Sequence, residues 1–248
     1  VISSHGELLF AKAIVLCEGI TEEQALPIYF QERYGIEPTF CGINIIGIGG
    51  QNYKTFLSLI KNFHIQWYIF SDGETSTIRT VKKAVRDVFA VEIDQCENVI
   101  VLDNQEDYEK HLLNNGYENE IVEAICLIEG DPNFVSEYIR TKDHTVAGRE
   151  KTSLPKCTTC QQFIYQDVIR DYSGTDGWRN AIYDCCTAKQ AKAKYAIGVA
   201  EKIVSISDES RRIPPKIKSL LDAISPIMSN EGEFHDATIT ETATNSQS

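Results

Sequence analysis

Glu18-Gly-Ile-Thr-Glu22 and Asp72-Gly-Glu74 place four carboxylates in two short segments, each directly after a run rich in aliphatic or aromatic residues. In the first, Gly19 permits a tight turn, Thr21 reads as a helix N-cap, and Glu22 and Glu23 fall in a first helical turn, where the helix dipole favours negative charge. In the second, Gly73 lets the backbone curl so that both carboxylates face one crevice. Each segment alone has an ordinary reading as well, a helix cap in one case and a solvated turn in the other. Their combination is more specific. Four carboxylates converging without basic partners repel one another and hold on to protons unless something positive sits among them. Such hard oxygen ligands suit Mg²⁺ or Mn²⁺, and a pair of these ions can clamp the attacking and leaving oxygens of a phosphoryl transfer.

The elements that must position these groups follow from the alternation of apolar runs and helical patterns. Strands are expected at Ala13 to Cys17, Ile43 to Gly47, Trp67 to Ser71 and Asn98 to Leu102. Helices are expected between them, at Glu22 to Tyr34, Asn52 to Phe63 and Thr75 to Phe89. This alternation predicts an α/β fold with a parallel sheet, right-handed crossovers and flanking helices. Functional groups in such sheets gather beyond the carboxyl ends of the strands. Three loops therefore matter: Glu18 to Glu22, Gly47 to Gln51 and Asp72 to Glu74. From about Asp107 the pattern becomes helical, with helices expected at Asp107 to Asn114, Glu118 to Ile128, Pro132 to Arg140, Gln161 to Tyr172 and Gly177 to Thr187. Two more are expected at Lys192 to Val204 and Pro215 to Ile227. The chain divides on this reading into a junction at 1–12, a catalytic core at 13–106, a mostly helical insertion at 107–191, C-terminal helices at 192–228 and a disordered tail at 229–248.

The bulk properties narrow the class. A net charge of −12 and a pI near 4.9 argue against a generic nucleic-acid binder with a basic surface. The charge is uneven, however. Arg86 to Asp131 holds thirteen acidic and two basic residues, whereas Lys189 to Lys218 holds eight basic and three acidic. An acidic metal site beside a basic flank is compatible with DNA. No apolar run is long enough for a membrane span, and the start has no signal-peptide pattern, so a cytoplasmic protein is expected. Val1 to Lys12 reads as the middle of a longer polypeptide.

At this point the residues resemble a known family. Leu16-Cys-Glu-Gly-Ile-Thr-Glu-Glu23 with Ala25-Leu-Pro27, Ile45-Ile-Gly-Ile-Gly-Gly50 and Phe70-Ser-Asp-Gly-Glu74 look like the signature segments of the TOPRIM domain of OLD (overcoming lysogenization defect) nucleases. Ser4 to Lys12 looks like the junction at which that family's ATPase ends. The resemblance implies a TOPRIM, Rossmann-like fold and a DNA endonuclease or nickase using two Mg²⁺ or Mn²⁺ per site. It also implies an N-terminal ATPase domain in the full-length protein and a part in phage defence, as in the Gabija nuclease subunit, with a helicase-like partner and homo-oligomerisation among the expectations. Metal ligands implied by position are Glu18, Glu22, Asp72 and Glu74, with Glu74 standing where other TOPRIM proteins often have Asp. Glu109 resembles a further acidic position near that family's metal site, and reads equally as solvated acidic surface. The family uses a downstream lysine; Lys192 matches it better and Lys194 second. A cation there would stabilise charge building on the phosphate. The alternative is a solvated basic helix face.

Other motifs carry less. Gly47, Gly49 and Gly50 lack the Lys-Ser/Thr of a nucleotide-binding loop, so no ATP site is expected. Cys157, Cys160, Cys185 and Cys186 could supply four thiolates, but adjacent cysteines on a helix do not both face one ion, so structural zinc from this set is not expected. Most of the eight cysteines read as reduced core residues, and the five histidines are isolated. Two competing readings remain: a non-catalytic metal-binding scaffold for assembly with an ATPase or helicase-like partner, and a TOPRIM enzyme of topoisomerase or primase type, for which Tyr183 and Tyr195 have no supporting context.

Overall fold

Ala13–Cys17 (β1) is apolar at every position and buried at every position, as a strand must be when both faces are covered. The computed structural model describes residues 10–49, 52–154, 156–188 and 191–229. Most of the expected junction (1–9), Gly50 and Gln51, and the expected tail beyond residue 229 lie outside the described residues. β1 pairs in parallel with Ile43–Gly47 (β2) on one side and Gln66–Ser71 (β3) on the other, and β3 pairs in parallel with Val99–Val101 (β4), giving the order β2-β1-β3-β4. This is the expected parallel α/β sheet.

Side chains alternate across a strand, so β1 feeds two cores. Ala13, Val15 and Cys17 join Tyr68 and Phe70 on one face, whereas Ile14 and Leu16 join Ile46 and Ile69 on the other. Helices Tyr53–Asn62 (α2) and Thr75–Phe89 (α3) cover the second face. Ile20–Tyr34 (α1) covers the first, with Tyr108–Asn114 (α4), Glu118–Glu129 (α5) and the C-terminal helices. The chain thus leaves β1 toward one side of the sheet and β3 toward the other. Where those connections diverge, between the carboxyl ends of β1 and β3, a crevice opens.

Phe134–Lys142 (α6), Gly177–Thr187 (α7), Ala191–Val204 (α8) and Pro215–Ser229 (α9) complete the helices among the described residues. The middle of the chain departs from expectation. In place of a helix at Gln161 to Tyr172 stands an antiparallel hairpin, Val146–Lys151 (β5) with Tyr165–Ile169 (β6). Tyr165, Val168 and Ile169 are side chains that favour extended backbone, and a partner strand some twenty residues upstream is available to pair with them. Every residue of both strands is exposed. The first helix differs too: Gly19, not Thr21, is its N-cap, because the Glu22 carboxylate accepts the Gly19 N–H at 3.0 Å and lets the helix begin two residues earlier.

Candidate metal centre

In the β1–β3 register Cys17 stands opposite Phe70, so Glu18 leaves β1 level with Ser71, one residue before Asp72. The two acidic loops therefore emerge side by side. Gly73 makes the second loop possible: a Cβ there would sit 2.3 Å from the Leu102 carbonyl oxygen. Its N–H donates to the Glu106 carbonyl at 2.8 Å, and the Leu102 N–H donates to Ser71 at 2.9 Å, so the turn after β3 is bonded to the loop after β4. That loop reverses through Asn104 and Gln105, both with positive φ, and delivers Asp107 and Glu109 to the crevice. A buried Glu106 holds it from beneath, bonded to His111 Nδ1 at 3.1 Å and accepting from Asn114 at 2.8 Å.

The carboxylates in this crevice are short of partners. Glu18 Oε2 and Asp72 Oδ1 are buried without a hydrogen-bond partner. Burial first, then the negative charges of Glu22, Glu18 and Asp107, pushes the Asp72 carboxyl up to about 8. Glu22 rises to about 7, chiefly through burial and with the charge of Glu109 adding to it. Glu18 and Glu109 are raised by burial as well; Thr77 works against the shift at Glu18, and Lys192 does so at Glu109. Glu74 is exposed at the rim as the N-cap of α3, close enough for its charge to be felt by Glu18.

Among the described residues Lys192 is the cation that answers this cluster. Lys192, in the first turn of α8, donates to Glu109 Oε2 at 3.0 Å and lies 3.6 Å from Asp107 Oδ2. Burial works against its charge, yet Glu109, Asp107 and Asp72 together hold its pKa above the usual lysine range. Its side chain is 44% exposed while that of Glu109 is 8% exposed, so the ammonium closes the cluster from the solvent side. Lys194 is not brought in; it pairs with Glu129 on another side of α8.

Residues that the sequence did not single out complete the arrangement. Asp107 caps α4 through the Lys110 N–H at 2.9 Å and accepts the Tyr183 hydroxyl at 2.7 Å. Tyr53, at the start of α2, buries its hydroxyl among Glu18, Cys17 and Asp72. Asp107 had a local signal as a helix cap, but nothing local tied it to Asp72.

The donor set fits a hard divalent cation: buried oxygens without partners and carboxyls that resist ionisation. Among the described residues no three His, Cys, Asp or Glu side chains stand close enough together to hold an ion as they lie. Glu22 is turned to the Gly19 N–H and Glu109 to Lys192, which keeps the carboxylates apart. The four cysteines considered for zinc lie elsewhere. Cys185 and Cys186 are in the core face of α7, with burial raising both thiols, whereas Cys157 and Cys160 are in the loop between β5 and β6. No helix among the described residues is long and apolar enough to cross a membrane.

Comparison with known proteins agrees with this geometry. Residues 9–73 match the family model described as overcoming lysogenization defect protein-like, TOPRIM domain. The fold is that of the C-terminal region of the Xanthomonas campestris pv. campestris OLD protein, at 18% identity and TM-score 0.58, over 93% of this chain and 100% of that one. The C-terminal region of the Burkholderia pseudomallei OLD protein matches at 14% identity and TM-score 0.53, over 88% and 99%. Among curated proteins none matches the chain. Residues 9–73, the part that matches the OLD-like TOPRIM model, include Glu18, Glu22 and Asp72 on the loops after β1 and β3.

Proposed function

We propose, from that TOPRIM core, that the chain is a divalent-metal-dependent DNA endonuclease or nickase and the nuclease part of a longer ATPase–nuclease protein acting in cytoplasmic phage defence. The observation that carries the reading is the pair of buried, unpartnered oxygens of Glu18 and Asp72 at the ends of adjacent parallel strands, with Lys192 drawn to the same cluster.

Glu18, Glu22, Asp72 and Glu74 would hold Mg²⁺ or Mn²⁺, two per site, with Asp107 and Glu109 across the crevice. Bound ions of this kind would neutralise phosphate charge and make a water easier to deprotonate, and so nucleophilic, at neutral pH. The chain's own residues do the rest. Glu22 accepts the Gly19 N–H and Glu109 accepts from Lys192, and a bound ion would compete with those donors for both carboxylates. Lys192, the half-exposed cation of the cluster, exchanges Glu109 for a phosphate oxygen and stabilises the charge that builds there. The Tyr183 hydroxyl, donated to Asp107, fixes that carboxylate rather than standing free as a nucleophile.

Plasmid nicking with Mg²⁺, Mn²⁺, Ca²⁺ or EDTA tests the reading. Mg²⁺ or Mn²⁺ is expected to support nicking, and EDTA to abolish it. Glu18→Ala and Asp72→Ala should lose it while remaining folded; unchanged nicking in either variant overturns the assignment. Metal-dependent association without cleavage under any ion would indicate the scaffold reading, and covalent protein–DNA adducts a topoisomerase.

A further inference from the structure

Tyr53 is the first residue of α2, and it carries an oxygen into a place that is otherwise hydrocarbon. The chain leaves β2 bonded to the tip of β1, the Ile48 N–H donating to the Cys17 carbonyl at 3.0 Å, and α2 begins five residues later. The Tyr53 ring belongs to the core on that face of the sheet, with Leu16, Ile46 and Ile69. The residue is 0% exposed, and its hydroxyl has no hydrogen-bond partner among the described residues. The Ser71 hydroxyl beside it donates instead to the Asp72 carbonyl at 3.2 Å.

Phe would fill this core position without burying an oxygen. A phenol whose O–H meets no acceptor has given up its bond to water and gained none in return. The acceptors at hand are short of partners in the same way. Glu18 Oε2 and Asp72 Oδ1 are both buried and unpaired, and the charge of Glu18 bears on the Tyr53 hydroxyl more than that of Cys17 or Asp72. Three buried oxygens without partners therefore stand together at the ends of β1 and β3, one of them a donor. A carboxyl that burial keeps from ionising is a poor acceptor, whereas a carboxylate is a strong one. What the group lacks is a cation that would keep the carboxylates ionised.

We propose that Tyr53 is a positioning residue for the metal centre: with a divalent ion in the crevice, its hydroxyl donates to the Glu18 carboxylate and holds that ligand toward the ion. The inference rests on the reading of Glu18 and Asp72 as metal ligands given above. Carboxylates that bind metal are themselves hydrogen-bonded, and losing such a donor costs about 10–100-fold in metal affinity. The role belongs to the hydroxyl alone, because the ring's packing is the same with or without it.

The test uses the whole chain, stripped with chelator and titrated with Mn²⁺ in a calorimeter without DNA, so its outcome does not depend on whether the chain cuts DNA. The parent is compared with Tyr53→Phe and Tyr117→Phe. Tyr117 is a second buried tyrosine, but its hydroxyl already has a partner in the Arg211 carbonyl at 2.8 Å. Tyr53→Phe is expected to weaken Mn²⁺ binding at least about tenfold, while the ion-free variant melts no lower than the parent, since no bond is lost. Tyr117→Phe should do the reverse, melting lower and keeping the parent's affinity. Unchanged Mn²⁺ affinity in Tyr53→Phe overturns the proposal and leaves the metal centre standing. So does equal weakening in Tyr117→Phe. An ion-free Tyr53→Phe that melts below the parent or fails to fold overturns it as well, because the hydroxyl would then be bonded before the ion arrives. A parent that binds no Mn²⁺ removes the metal centre itself, and this role with it.

Discussion

Asp72 is the side chain whose chemistry reaches furthest, because its carboxyl is held up to about 8 by burial and by the charges of Glu22, Glu18 and Asp107. With the folded pKa raised above the unfolded value, the folded state binds more protons between roughly pH 4 and pH 8, and stability falls as pH rises through that window. Metal-free protein is therefore expected to melt lower at pH 8 than at pH 5.5. Asp72→Asn should raise the melting temperature at pH 8, flatten the pH dependence and abolish nicking. Scanning calorimetry of both proteins checks the first two, and a variant that melts below the parent at pH 8 would contradict the burial account. Mg²⁺ at a hundred times its Kd should add about 2.7 kcal/mol, at roughly 2–4 °C per kcal/mol for a chain of this size. Lys192 and Lys194 give a second contrast. Lys192→Ala should cost nicking at least about tenfold with little change in melting, in keeping with a cation that stabilises transition-state charge; Lys194→Ala should leave nicking within about twofold, since its partner is the remote Glu129. Equal losses from the two would remove Lys192 from the site. Glu18 and Asp72 were legible in the sequence because each follows a strand directly. Asp107 was not, because it reaches the cluster through a turn built on two left-handed residues, Asn104 and Gln105.

At the level of elements, the turn after β3 and the loop after β4 are locked through Gly73. Gly73→Ala would drive a Cβ into the Leu102 carbonyl, a backbone atom that cannot swing aside. Overpacking of this kind costs about 1–3 kcal/mol, and a sharp loss of nicking should accompany the fall in melting temperature, because the same loop carries Asp107. Gly148→Ala on β5 meets nothing within 4 Å and serves as the neutral control. If both variants behave alike, the contact at Gly73 is not what fixes the loops. β1 to β3 and α1 to α3 could be read from sequence since apolar runs and helical periods mark buried elements locally. The β5–β6 hairpin could not be: its strands face solvent on both sides, so no alternation betrays them, and the pairing that makes them extended lies outside any local window.

Across the whole molecule the hairpin is separable and α9 is not. His144 and Arg170 are bonded at 3.0 Å and Arg170 and Thr145 at 2.9 Å, so the ends of the hairpin already meet. Replacing residues 146–169 with a short Gly-Ser linker should leave melting within a few degrees and nicking intact. Removing Pro215–Ser229 should unfold the chain: Ile217, Leu220, Leu221 and Ile224 are buried in the core that covers β1, β3 and β4. At roughly 1.5–3 kcal/mol each, they account for much of the ~5–15 kcal/mol by which a domain is stable. Circular dichroism of the two truncations separates these outcomes. The position of Lys192 bears on the order in which the proposed centre comes into being. Its carboxylates are made early and its cation late: at ribosomal rates of roughly 5–20 residues per second, Asp72 precedes Lys192 by roughly 6–24 s. A nascent or prematurely ended chain thus holds the acidic loops without the lysine that answers them, and the hydrolytic site we propose is complete only in a molecule whose synthesis has passed α8.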